Sequence, residues 1–255
     1  MTDDAKSRYR HKLLSIPGAA AATALTVLIT WGITKVTSSL DSQIAHGKPV
    51  AWSLETNPAK ISAFGAETLV MRLPAQVQPR GGPGPGCSGF RPWAHSQGAI
   101  DGDVTRFAVV VRGRLDEQVV LSDARAHVVR REPILSGPAI QCPPAGEANF
   151  RGLSIDLDSS DARAEYKSAS RKPFGFTLNK GEAETFVVTA SARQATYSWY
   201  LDLTVLVGEK PQTVRIGDHG HPFRTTSAHG ADRWTWDYVS HWIDDHGSER
   251  FHHAE

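Results

Sequence analysis

The chain has 255 residues, 40% apolar and 22% charged, an ordinary balance for a globular protein with one sizeable domain or two small ones. Its 28 basic and 27 acidic residues leave a formal net charge of +1, so there is no basic field to hold nucleic acid.

The first element is apolar. Leu13 to Thr34 carries no formal charge and lies directly behind Lys6, Arg8, Arg10 and Lys12. A helix over this stretch reaches roughly 33 Å, enough for a hydrocarbon core of about 30 Å. Its stronger half holds Leu25, Val27, Leu28 and Ile29, with Trp31 near the end, where an indole favours the interface. The cationic residues precede the span and only Lys35 follows closely. The positive-inside rule therefore predicts a cytoplasmic tail over 1–12, a transmembrane helix over 13–34 and an extracellular remainder. The expected location is the plasma membrane, with a single pass and the bilayer as one partner. A cleaved signal peptide with its small-residue site at Ala22-Thr23-Ala24 is the rival reading, but cleavage there would leave the most apolar residues on the mature protein. Residues 35–48 read as a polar stalk.

From Pro49 the pattern is that of strands. Val50–Leu54 and Thr68–Leu73 are short apolar runs, followed by Arg80-Gly81-Gly82-Pro83-Gly84-Pro85-Gly86, too rich in Gly and Pro for a regular element. Phe107–Val111 is a continuous apolar run. Gln118–Leu121 and Ala126–Arg130 predict a pair of strands about a Ser122-Asp123 turn. Leu153–Asp158 and Phe174–Leu178 alternate apolar and polar. Thr185–Ala190, Tyr197–Val207 and Thr213–Ile216 complete the set, the last two joined by a bend at Gly208-Glu209-Lys210-Pro211. With no convincing amphipathic helix, the pattern predicts an all-β fold over 49–227: an antiparallel, Ig-like β-sandwich on the N-terminal transmembrane helix. The segment 228–255 holds Trp234, Trp236, Tyr238 and Trp242 among five histidines, at spacings that fit either a helix or a strand.

Several pieces of this domain resemble a group of uncharacterised, single-pass extracytoplasmic proteins from high-GC actinobacteria. They are Cys142-Pro143-Pro144-Ala145-Gly146, Ser154-Ile155-Asp156-Leu157-Asp158, Phe174-Gly175-Phe176-Thr177-Leu178, Gly181-Glu182-Ala183-Glu184-Thr185-Phe186 and Asp218 to Thr226. The resemblance covers about Pro49 to Ser227. It implies a compartment and an architecture, and carries no activity across.

Candidate chemistry is sparse. Cys87 and Cys142 are the two cysteines, and their even number on an oxidising side predicts a disulfide, worth on the order of 4 kcal/mol for a loop of about 55 residues. Asp218, His219 and His221 cluster in one turn, and His241 and His246 in the tail; imidazoles with a carboxylate form a candidate zinc set. Its rival is a polar turn followed by a polar tail. Asp156, Asp158 and Asp161 offer oxygen ligands for calcium, or simply an acidic turn that stops a strand. Trp234, Trp236 and Trp242 are candidate partner-binding aromatics, or else core. No catalytic residue is predicted and no cofactor is required, zinc and calcium being the two open chemistries. The expected role is a non-enzymatic interaction or accessory module of the cell envelope, with another envelope protein as partner. The alternatives are a zinc-dependent envelope enzyme and a metal- or ligand-binding sensor.

Overall fold

Apolar runs of strand length need a second layer to cover them. The computed structural model describes residues 48–57, 61, 68–84, 89–142, 152–167, 174–236, 242–244 and 249–251, the last two segments by their backbone. The expected anchor (Leu25, Val27, Leu28, Ile29, Trp31), Cys87, His241 and His246 lie outside the described residues. Among the described residues no helix is long and apolar enough to cross a membrane.

The strands form two sheets. A five-stranded sheet runs in the order β1 (Val50–Glu55), β4 (Val104–Gly113), β10 (Ala183–Ser191), β7 (Gly152–Asp156) and β8 (Glu165–Lys167). The eleven-stranded sheet begins at one edge with β16 (Glu249–Phe251), β15 (Trp242–Asp244), β14 (Arg233–Trp236), β6 (Ala139–Cys142) and β2 (Leu69–Arg72). It continues through β3 (Ile100–Gly102), β13 (Phe223–Thr226), β11 (Thr196–Val207), β5 (Val119–Glu132) and β9 (Phe176–Leu178). β12 (Lys210–Ile216) pairs with the second half of β11. Helix α1 (Phe90–Ser96) precedes β3.

The main core lies between the sheets. Phe107 and Val109 of β4 and Phe186 and Val188 of β10 meet Trp199, Leu201, Leu203 and Val205 of β11, all fully buried. The alternation of β11 explains the choice: its odd-numbered positions from Tyr197 to Val205 point inward, and its even positions point out. Phe107 stacks on Phe223 at 4.4 Å between ring centroids, and Trp199 lies 5.0 Å from Phe223 and 6.2 Å from Phe107. A second core forms where α1 covers β2, β6 and β14, from Met71, Leu73, Phe90, Ala94, Ile140, Cys142, Trp234 and Trp236. Gly82 lies flush against the Trp236 ring, where any Cβ would collide with the indole.

The all-β expectation holds, with three amendments. Three strand pairs are parallel (β10 with β7, β13 with β3, β14 with β6), so the sandwich is not wholly antiparallel. Ser122-Asp123 is not a turn: β5 runs unbroken for 14 residues. Thr204 pairs with Asp123 and Val205 with Leu121, so a bulge absorbs Ser122 while its hydroxyl donates to the Thr204 carbonyl. Helix α1 was not expected, being seven residues with Pro92 in its first turn and no capping side chain. The tail from Arg233 is strand where described.

Replacing Trp199 with Ala should cost about 3–5 kcal/mol in denaturant unfolding, because the indole fills the aromatic cluster between the sheets. A loss below about 1 kcal/mol would contradict that packing.

Candidate functional site

Helix α1 offers Phe90 and Ala94 to the second core and turns Arg91 towards β3. There the Arg91 Nη2 donates to Asp101 Oδ2 at 2.9 Å, with both side chains buried. The same carboxylate oxygen accepts the Thr105 hydroxyl at 2.7 Å. A carboxylate only accepts, so the Thr105 proton is committed to it; the 2.6 Å contact between the Thr105 and Thr225 hydroxyls must then be donated by Thr225. Trp199 Nε1 in turn donates to Thr225 Oγ1 at 2.9 Å. A directed line thus runs from the indole through two hydroxyls to a carboxylate neutralised by Arg91.

The line continues outward to His95. Arg91 Nε donates to His95 Nε2 at 3.2 Å, which makes Nε2 the acceptor and puts the proton on Nδ1, 3.1 Å from the Ala99 carbonyl. Although His95 as a residue is exposed, both ring nitrogens are engaged on the protein side. Burial of the ring and the neighbouring Arg91 charge push its pKa down, against the opposing pull of Asp101 and Asp218. The neutral imidazole is therefore the form that fits. The arrangement holds charge and fixes a tautomer, but it presents no nucleophile to the histidine: the Ser96 hydroxyl donates instead to the Trp93 carbonyl.

A second polar knot lies at Asp103, which joins β3 to β4 with φ at +60°. Its Oδ1 accepts the Ala228 N–H at 2.6 Å and its Oδ2 faces Arg233 at 3.6 Å. Arg72 lies buried beside it, its pKa lowered chiefly by burial and partly restored by Asp103.

The residues singled out in the sequence fall as follows. Asp218 to His221 form a tight turn closed by the His221 N–H on the Asp218 carbonyl at 2.9 Å, with His219 Nε2 3.8 Å from Asp218 Oδ1. Among the described residues, no group of three or more His, Cys, Asp or Glu is placed to hold a metal ion. The calcium candidates separate in role. Asp158 Oδ2 accepts the Arg193 N–H at 2.8 Å, and its Oδ1 accepts the Gln194 N–H at 3.1 Å and the Tyr197 hydroxyl at 2.6 Å, so this carboxylate pins the β10–β11 connection. Trp234 and Trp236 are 8% and 3% exposed, packed in the second core, so neither serves as an open aromatic platform. Trp242 pairs with Trp236 through the backbone. Cys142 is disulfide-bonded and fully buried in the same core.

What composition could not reveal is the surface at the far end of β5. Val128 (37%), Val129 (48%) and Ile134 (38%) are the large apolar side chains exposed among the described residues, and all three fall within seven positions. A second bulge, with Trp199 opposite Val128 and Ser198 opposite Arg130, leaves Val129 as the extra residue. Beyond Ala126, whose N–H is held by the Ala162 carbonyl, the outer edge of β5 has no strand partner among the described residues.

Replacing Asp101 with Ala should cost about 3–5 kcal/mol by stranding the Arg91 charge, whereas the paired replacement Arg91→Met with Asp101→Leu should cost markedly less. Equal losses in the two proteins, measured by denaturant unfolding, would show that the ion pair is not what matters. Burial and Asp158 raise the Tyr197 phenol from 10.0 to about 12. Its contribution is complete below pH 10 and should vanish as pH rises towards 12; Tyr197→Phe should flatten that part of the alkaline stability curve. The chain matches no protein-family model and no curated protein.

Proposed function

We propose that this chain is a non-enzymatic interaction module of the cell envelope, held at the plasma membrane by its N-terminal span with the β domain outside, and that it meets a protein partner through the distal part of β5. The observation that carries the reading is the concentration of exposed apolar surface at Val128, Val129 and Ile134. Isolated exposed apolar residues are ordinary; two valines on the open outer edge of β5 with an isoleucine two residues beyond its end are the kind of patch that partners cover. The flanking Arg130 and Arg131 and the bulge at Val129 discourage a second copy from pairing along this edge, which favours a different protein as partner. Two further features support the compartment. Cys142 is disulfide-bonded, Cys87 is the only other cysteine, and such bonds persist outside the reducing cytosol. The charge asymmetry about residues 13–34 supports the orientation. A tether of this kind raises the local concentration of the domain at the membrane, so a modest interface suffices.

A photo-crosslinking residue placed at Val129 in intact cells should capture one recurrent protein that the same residue at the exposed Asp116 does not. Val128→Asp should abolish that adduct without lowering the melting temperature. Identical adducts at both positions, or none at Val129, would overturn the reading.

A further inference from the structure

The outward face of the eleven-stranded sheet carries an ordered array of arginines, independent of the valine patch. Register places Arg125 and Arg215 on either side of Asp202, and Arg130 and Arg224 on either side of Ser198. Two rows of the form Arg–X–Arg therefore cross β11, about 13 Å apart along the strand, with about 10 Å between the arginines of a row. Between the rows lie Tyr200 and His127, directly opposite each other.

Internal carboxylates hold these guanidinium groups in place. Asp202 takes Arg215 in a two-point pair at 2.8 Å and 2.8 Å, and Arg215 lies 5.4 Å over the Tyr200 ring. Glu132 sits between Arg130 at 3.2 Å and Arg224 at 3.9 Å. An arginine has five N–H donors and these contacts use a minority of them, so oriented donors remain for an outside oxyanion. All four arginine side chains are about half exposed or more. Counting Asp202, Glu132 and Asp123, which lies 3.6 Å from Arg125, against the four arginines leaves the array cationic by one charge.

We propose that this face binds a linear polyanion, a chain bearing repeated phosphate or carboxylate groups. A single small oxyanion cannot bridge rows 13 Å apart, so two anionic groups on one chain are needed. The uncharged part of the repeat would then cross Tyr200 and His127. Neighbouring strands twist by about 20–25° relative to each other, which turns the rows out of a common plane. A flexible chain can follow such a twisted surface from one row to the next.

The test uses the purified full chain in detergent, titrated with polyphosphate, with polygalacturonate, with inorganic phosphate and with phosphatidylglycerol vesicles. One or both polymers should bind, and affinity should fall by roughly tenfold or more as salt rises from low to several hundred millimolar. The polymer that binds identifies the group as phosphate or carboxylate. The pair Arg130→Gln and Arg224→Gln should weaken binding by roughly tenfold with an unchanged melting temperature. The pair Arg130→Lys and Arg224→Lys should retain part of it. The proposal falls if neither polymer binds at low salt, if inorganic phosphate binds as tightly as the polymers, if only vesicles bind, or if the Gln pair binds as the native chain does. Val128→Asp should leave polyanion binding intact, so this result and the partner capture at Val129 succeed or fail separately.

Discussion

The buried Arg91–Asp101 pair is the constraint around which the rest of the domain is arranged. An arginine taken out of water is costly unless a carboxylate and further hydrogen bonds meet it, and such a pair fixes its position. Asp101 can be reached only if β3 lies between β2 and β13, since it pairs with Met71 on one side and Thr225 on the other. Thr105 and Thr225 carry the connection into the main core, where Trp199 supplies the last donor. One line of polar atoms thus fixes how α1, the second core and the two sheets meet, something that apolar contacts alone would specify less sharply.

Much of the sheet structure was legible because it obeys period two. β11 reads off its own sequence, from Tyr197 to Val207, and the turn at Gly208 follows from a backbone at φ +57° that glycine adopts without strain. The misreading of β5 has a physical basis: Ser and Asp are common in turns, but a bulge can absorb them within a strand when their polar atoms find partners, as Asp123 does with Arg163 at 2.8 Å. Strands of three or four residues, such as β3 and β6, are too short to show a period. Their parallel pairing with β13 and β14 depends on residues far away in the chain.

The polar sites were less legible still. Arg91, Asp101 and Thr105 look like ordinary surface residues until their burial is known, and His95 carries no spacing signal beside the more conspicuous Asp218-His219-Gly220-His221. Asp158 stands out in the sequence by the acidic turn around it, and in the fold it is a backbone staple. The two arginine rows are invisible in the sequence because Arg125, Arg130, Arg215 and Arg224 come from three strands and align only through register. Trp234 and Trp236 alternate as a strand should, and the sequence alone could not say which face of that strand would be covered.

The second core has a consequence for how the molecule is made. Its walls come from four distant parts of the chain: Met71 and Leu73, Phe90 and Ala94, Ile140 and Cys142, and finally Trp234 and Trp236. The closing indoles are synthesised last, so the apolar face of α1 stays uncovered while most of the domain already exists. Contacts of such long sequence separation form slowly, because the intervening loops must be ordered before any reward is gained. During biogenesis the chain therefore passes through a stage in which Phe90, Ile140 and Cys142 lack their permanent cover, and that interval is when it is most exposed to aggregation and to the attention of chaperones.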